Sequence, residues 1–156
     1  MPRRYKPKKR MPAPDPVYNN ERVAKFINRL MLSGKKSVAE RIFYNALEGM
    51  KGKADDEPLE VFLQALDKAR PLVKVKARRV GGSTYQVPME VSEYDGEAIG
   101  SRWLISNARS RKGRSMEQKL MQEILDTYKG SSTTLKKREE VHRMADANKA
   151  FAHYRF

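Results

Sequence analysis

Residues 72–91 read LVKVKARRVGGSTYQVPMEV. In the first half Val73, Val75 and Ala77 alternate with Lys74, Lys76 and Arg78. In the second half Tyr85, Val87, Met89 and Val91 alternate with Thr84, Gln86, Pro88 and Glu90. A period of two is the mark of a strand with two different faces. Gly81-Gly82-Ser83 separates the halves, and glycine takes positive φ at no steric cost. The stretch therefore predicts an antiparallel two-stranded ribbon with a basic face. A two-residue turn would pair Val75 with Pro88 and mix apolar with polar positions. A three-residue loop, 81–83, pairs Val75 with Met89 and Ala77 with Val87 and keeps one apolar face whole, so that register is expected. Pro88 has no amide hydrogen, so its position must face an open edge. A lone hairpin is marginal in water, so this one needs a helical body behind it.

The flanking sequence supplies that body. Asn20 is placed to cap a helix reaching about Leu32, with Val23, Phe26, Ile27, Leu30 and Met31 on one stripe. Ser37 and Glu40 have the spacing of a capping box for a second helix, with Val38, Ile42, Ala46 and Leu47 inward. Pro58 suits the first position of a third, which carries Leu59, Phe62, Leu63 and Leu66 and stops before Pro71. Residues 92–98 read as irregular and acidic, followed by a fourth helix to about Arg111 with Ile99, Trp103 and Leu104 inward. Gly100 inside it costs about 1 kcal/mol relative to alanine. Ser115 and Gln118 form another capping-box pair, and Gly130 ends the fifth helix. Residues 131–134 read as a polar loop. A sixth helix, about 136–148, has only Val141, Met144 and Ala145 as an apolar stripe. The fold class is mainly α: one domain of about six helices, a protruding hairpin and an extended basic arm. The expected boundaries are 1–18 for the arm, 19–148 for the helical domain with its ribbon at 72–91, and 149–156 for an aromatic and basic tail.

Charge says what kind of partner to expect. The 156 residues carry a formal net charge of +14. Four stretches, 1–10, 70–79, 109–114 and 136–138, hold 18 of the 33 lysines and arginines and no acidic residue. The remaining 127 residues have 15 basic and 19 acidic side chains, a net of −4. Such concentration on a near-neutral body points to a polyanion, nucleic acid before membrane. An anionic membrane would favour an amphipathic helix with exposed aromatics, whereas these patches fall mostly on an arm, a ribbon and loops. Pro2, Pro7, Pro12, Pro14 and Pro16 keep the arm from becoming a helix. The tail around Phe151 and Tyr154 suits either base stacking or local packing.

Other chemistry has little support. There is no cysteine, which removes disulfides, thiol nucleophiles and zinc knuckles. No apolar run approaches the roughly 20 residues of a membrane span. Glu93, Asp95 and Glu97 lack a histidine or cysteine to make a metal set, so no metal or cofactor is expected. His142 and His153 have no obvious acid partner, Ser33 and Lys36 match a Ser-x-x-Lys spacing in a loop without the partner motifs, and Gly34-Lys35-Lys36-Ser37 lacks the upstream glycine of a phosphate loop. An enzyme is not expected. Architectural DNA binding is the competing reading, because a basic two-stranded arm also fits a DNA groove. Against it, a Gly-Gly-Ser tip is no apolar wedge.

Several segments together resemble a known family. They are residues 34–42, GKKSVAERI; 76–88, KARRVGGSTYQVP; 102–104, RWL; 136–139, KKRE; 142–145, HRMA; 147–148, AN; and 150–155, AFAHYR. In order and spacing the chain resembles small-subunit ribosomal protein seven in its bacterial or organellar form. Residues 92–101, with Gly96 and Gly100, match least well. The resemblance implies six helices and a hairpin. It implies a primary binder of the 3′ major domain of 16S rRNA that nucleates the head of the 30S subunit. It also implies a place at the subunit interface beside exit-site tRNA and mRNA, with small-subunit proteins nine and eleven as neighbours, no homo-oligomer, and a cytoplasmic or organellar ribosome.

The expected rRNA-binding residues are Arg3, Arg4, Lys6, Lys8, Lys9 and Arg10 on the arm, then Lys35 and Lys36. On the ribbon they are Lys74, Lys76, Arg78 and Arg79. Arg102, Arg109, Arg111, Lys112 and Arg114 complete the set. The residues expected to face tRNA and mRNA, a division the resemblance implies, are Gly81, Gly82, Ser83, Tyr85, Lys136, Lys137, Arg138, Arg143, Tyr154 and Arg155.

Overall fold

The computed structural model describes residues 11–113 and 115–154. The chain divides into two compact units, Met1–Glu40 and Arg41–Phe156.

In the first unit the proline-rich lead-in ends in a turn. The Asp15 carboxylate accepts from the amides of Val17 and Tyr18 at 3.1 and 3.0 Å, so the described end of the arm folds back on itself. Helix α1, Glu21–Leu30, is capped as expected: Asn20 Oδ1 accepts from the amides of Arg22 (2.8 Å) and Val23 (3.4 Å). Val23, Phe26, Ile27 and Leu30 form its buried stripe. Ser33 and Gly34 then take positive φ, 52° and 73°, and α2, Lys36–Glu48, begins at once. The expected capping box does not form. Ser37 already lies inside the helix, and Glu40 instead pairs with Lys36 at 3.6 Å. The stripe is shifted by one position as well. Ala39 is buried and Val38 exposed.

In the second unit α2 continues with Phe43, Ala46 and Leu47 buried and Ile42 only half-buried. The elements that follow are α3 (Pro58–Ala69), β1 (Val73–Val80), β2 (Ser83–Glu90), α4 (Glu93–Ser110), α5 (Met116–Lys129) and α6 (Thr133–Ala147), then a short 3-10 helix at Lys149–Tyr154. The core is aliphatic and aromatic: Phe43, Leu47, Phe62, Leu66, Leu104, Leu120 and Ile124 are fully buried. Phe43 meets Phe62 edge-on at 5.0 Å, an arrangement that favours the ring quadrupoles.

Helix α4 starts earlier than its sequence suggests. Ser92 Oγ accepts from the Asp95 amide at 3.2 Å, so the acidic stretch is the helix's first turn, where carboxylates suit the dipole. Gly96, Gly100, Ser101, Leu104, Ile105 and Ala108 are buried, while Ile99 and Trp103 are half-exposed. The two glycines explain the inversion. A Cβ on Gly100 would lie 3.1 Å from the backbone of Ala69, and one on Gly96 would lie 2.9 Å from the Pro71 carbonyl. The helix crosses the end of α3 backbone to backbone, which any larger side chain would prevent.

Ser115 stands at the head of α5, but its side chain makes no capping bond. Gly130 ends the helix in the left-handed region at φ 91°. Helix α6 also begins early. Ser132 Oγ accepts from the Leu135 amide at 3.2 Å, and Thr134 and Leu135 are buried. The expected polar loop is therefore partly a helix N-terminus inside the core. Met144, expected inward, is exposed.

The ribbon forms, with a different register. Val80 pairs Ser83, Ala77 pairs Gln86 and Val75 pairs Pro88, so the turn is Gly81-Gly82 alone, at φ 56° and 90°. Positive φ at both central positions is the two-residue turn whose twist matches its strands. The Val91 amide donates to the Leu72 carbonyl at 2.9 Å. Counting back along the alternating ladder puts Pro88 at a position where no amide is required. A slip to the three-residue loop would move it onto a position that needs one. No single apolar face has to be kept whole, because Val87 and Pro88, on opposite faces, are both buried.

Candidate nucleic-acid interface

The register decides which ribbon charges act together. Directly paired residues share a face. Lys74, Lys76 and Arg78 therefore lie on the face of Tyr85, Val87 and Met89, and Arg79 lies on the other with Thr84 and Val75. Lys76 and Arg79 are exposed, or nearly so, and Lys74 and Arg78 are half-buried. Cations thus stand on both sides of a narrow shaft. At its tip the Cβ positions of Gly81 and Gly82 have nothing within 4 Å, so the end is small and open.

The shaft is tied to α6 at its base and to the C-terminal segment nearer its tip. The Leu72 amide donates to Nε2 of His142 at 3.1 Å. Tyr85 packs against Phe151 and Tyr154, centroids 5.1 and 5.2 Å apart. The tail aromatics therefore pack locally, one of the two outcomes their sequence allows. On α6, Lys136, Lys137 and Arg143 are exposed. Arg138 is half-buried and donates from Nη1 to the Lys68 carbonyl at the end of α3, which ties α6 to the helix preceding the ribbon.

The 109–113 segment carries charges of two kinds. Arg109 and Lys112 are exposed. Arg111 turns inward. Its Nε and Nη2 donate to Glu123 Oε2 at 2.8 and 2.6 Å, and Nη2 donates also to Asp126 at 2.6 Å. Burial, the largest single influence on Arg111, would lower its pKa. The bonds to Asp126 and Glu123 and their charges together outweigh it, and the pKa is raised. Glu123 is itself fully buried and accepts from Thr134 Oγ1 at 2.7 Å, and Thr134 accepts from Asn107 Nδ2 at 2.9 Å. This network joins α4, α5 and α6 and fixes the chain direction where the patch leaves α4. Arg111 is thus neutralised within the fold and holds its neighbours in place. Arg102 is exposed, with Nε donating to the Ala98 carbonyl at 3.2 Å.

In the first unit, Lys35 and Lys36 are exposed beside the Ser33–Gly34 turn. Arg3, Arg4, Lys6, Lys8, Lys9, Arg10, Arg114 and Arg155 lie outside the described residues. Among the described residues no group of histidine, cysteine, aspartate or glutamate could hold a metal, and no helix is long and apolar enough to cross a membrane.

Sequence reasoning missed one neighbour of the 109–113 patch. Gln118, Lys119 and Gln122, on the outer side of α5, line a cavity of about 450 Å³ with Arg111, Lys112 and Met121. The signal was available in principle. They are the polar remainder of a helix whose apolar positions are Leu120, Met121, Ile124 and Leu125, directly after a basic run.

Comparisons with known proteins agree on one family. The family model described as "Ribosomal protein S7p/S5e" matches residues 2–149. Relatives named small ribosomal subunit protein uS7 align over 156 residues, all of this chain and all of theirs. The one from Chromohalobacter salexigens is 56% identical, that from Synechocystis 55% and that from Treponema pallidum 52%.

Proposed function

This chain belongs to the ribosomal protein S7p/S5e family, and from that premise we propose that it binds the 3′ major domain of 16S rRNA directly and nucleates assembly of the small-subunit head. Family membership makes it a structural, RNA-binding protein of translation rather than an enzyme, working in the small ribosomal subunit in the cytoplasm. The proposal concerns how it does so.

The observation that carries the reading is the two-sided basic shaft. Lys76 and Arg79 extend to opposite sides of a ribbon two strands wide, with no carboxylate between Val73 and Met89. A ribbon charged on both sides suits a crevice between RNA helices, where phosphates face it from two directions. Phosphate contacts fix position and orientation but carry little sequence information, so the target is recognised by shape. A protein that binds only the folded junction stabilises it by mass action, and that is nucleation in thermodynamic terms. Lys35, Lys36, Arg109, Lys112 and the arm 1–18 add further phosphate contacts. Arg111 serves by positioning. The small tip at Gly81, Gly82 and Ser83, with Tyr85, Tyr154 and the exposed Lys136, Lys137 and Arg143, faces exit-site tRNA and mRNA. Small-subunit proteins nine and eleven are the neighbours.

Competition binding tests this reading. A 16S 3′ major domain fragment should displace labelled RNA at physiological salt far better than duplex DNA does. Equal affinity for the two would overturn the rRNA assignment in favour of general polyanion or DNA binding.

A further inference from the structure

The segment that joins α3 to β1 is gripped from two sides. The last turn of a helix leaves carbonyls without a partner inside the helix. In α3 the Lys68 carbonyl accepts from Arg138 Nη1, and a cation suits that end of the dipole. Arg70 follows, and its Nη1 donates to Glu93 of α4 at 2.5 Å. Pro71 has no amide hydrogen, and the next amide, that of Leu72, donates to His142 Nε2 at 3.1 Å. The Leu72 carbonyl accepts from the Val91 amide at 2.9 Å, where the two strands come together. Arg138 and His142 stand one helical turn apart on a single face of α6. They bracket residues 68–72, one by donating and the other by accepting. Helix α4 closes on the same segment through Gly96 and Gly100, where a Cβ would meet Pro71 and Ala69 at 2.9 and 3.1 Å.

Little else holds this part of α6. Between Leu135 and Ala145 no side chain of the helix is fully buried, so apolar packing alone does not fix its position there. Arg138 is also poorly placed to meet a phosphate. It is half-buried, its Nη1 is used, and its Nε is buried without a partner among the described residues. A buried donor left unpaired is a cost, which an arginine extended into solvent would avoid. We infer that Arg138 and His142 are positioning residues for the ribbon. Together they pin its root to α6 and restrict the angle at which the shaft leaves the body, and Arg138 makes no phosphate contact of its own. Phe151 and Tyr154, beyond the end of α6, pack on Tyr85 of the shaft, so root, α6 and shaft close a triangle. The exposed Lys136, Lys137 and Arg143 of α6 and the ribbon's Lys76 and Arg79 therefore keep a restricted spacing before RNA arrives, which lowers the ordering cost of binding. The effect on affinity rests on the reading that the ribbon's cations meet rRNA, whereas the pinning is a property of the free protein.

Two measurements on the full chain separate pinning from RNA contact. The sequence has no cysteine, so nitroxides on S83C at the tip and E60C on α3, both exposed positions, report the ribbon's orientation by their distance distribution. R138M and H142L should each broaden that distribution. H142L should also speed hydrogen exchange of the Leu72 amide, and H142Q, which keeps an acceptor oxygen, should restore both readouts. Circular dichroism and thermal melting of each variant check that α6 remains folded, and either variant alone suffices for the test. With the 16S 3′ major domain fragment, R138M should bind roughly tenfold more weakly at an unchanged salt slope. A slope lowered by roughly 0.7–0.9 would make Arg138 a phosphate ligand and overturn its assignment. An unbroadened distribution in the folded variants would show that α4 alone holds the root and overturn the pinning. If the distribution broadens but R138M binds the fragment as tightly as the unaltered protein, the pinning stands and the ribbon's part in rRNA binding falls.

Discussion

Arg111 and Glu123 form an ion pair in which both partners are committed. Two guanidinium nitrogens donate to one carboxylate oxygen at 2.8 and 2.6 Å, and the glutamate side chain is 1% exposed. A pair of this kind contributes little over an apolar replacement but is costly to break, since one charge is then stranded. Arg111→Ala should destabilise the protein by about 3 kcal/mol in urea unfolding. Arg111→Ala with Glu123→Gln should recover part of that stability, because the buried charge is gone and the amide oxygen can still accept from Thr134. A double variant no more stable than the single one would show that the arginine's packing, not its charge, matters.

The close crossing of α4 on the end of α3 makes Gly96 and Gly100 intolerant of alanine. Helix propensity alone would favour Gly100→Ala by about 1 kcal/mol. The added Cβ meets the Ala69 backbone at 3.1 Å, and backbone cannot rotate away. Overpacking of this kind costs about 1–3 kcal/mol, so the net effect should be a lower melting temperature. A stabilised variant would mean that the helix slides to make room.

Salt dependence measures how many phosphates the ribbon neutralises. Replacing Lys74, Lys76, Arg78 and Arg79 with alanine should reduce the log–log slope of rRNA binding by roughly 0.7–0.9 for each phosphate left without its cation. An unchanged slope would remove the ribbon from the interface.

At the tip, deletion of residues 80–84 should leave head assembly in place and reduce exit-site tRNA occupancy. Reconstitution with the shortened chain, followed by tRNA binding, separates these effects. Failure of head assembly would instead make the tip an rRNA anchor.

Tyr128 gives a pH signature. Its hydroxyl donates to Asp56 at 2.9 Å, and that bond, then burial, then the Asp56 and Asp55 charges raise its pKa. A raised folded-state pKa means the contribution is complete below the unfolded tyrosine value of about 10 and disappears as pH climbs through the folded value. Tyr128→Phe should therefore be less stable than wild type near neutrality, with the gap closing in alkaline solution. A gap that stays constant above that range would show that the hydroxyl contributes nothing through this bond.

By itself the sequence determined the six α-helices of the described residues, though not the 3-10 helix at Lys149–Tyr154, and with them the ribbon's place, the cap at Asn20, the stop at Gly130 and the concentration of charge into acid-free runs. These follow from local rules: periodicity, side chains that bond their own backbone, and charges counted along the chain. Tertiary structure decided what those rules leave open. Position 100 reads as a defect until the Ala69 backbone is seen beneath it. Residues 131–134 read as a loop until Thr134 meets Glu123. Arg111 is indistinguishable from Arg109 along the chain, yet one is enclosed by two carboxylates from α5 and the other is exposed. The ribbon's register went the other way from its apolar pattern. Pattern matching assumes one dry face and one wet face, whereas this ribbon is covered on both faces at its base. With that freedom, turn geometry at Gly81-Gly82 and the missing amide of Pro88 set the pairing, and with it the side on which each cation stands.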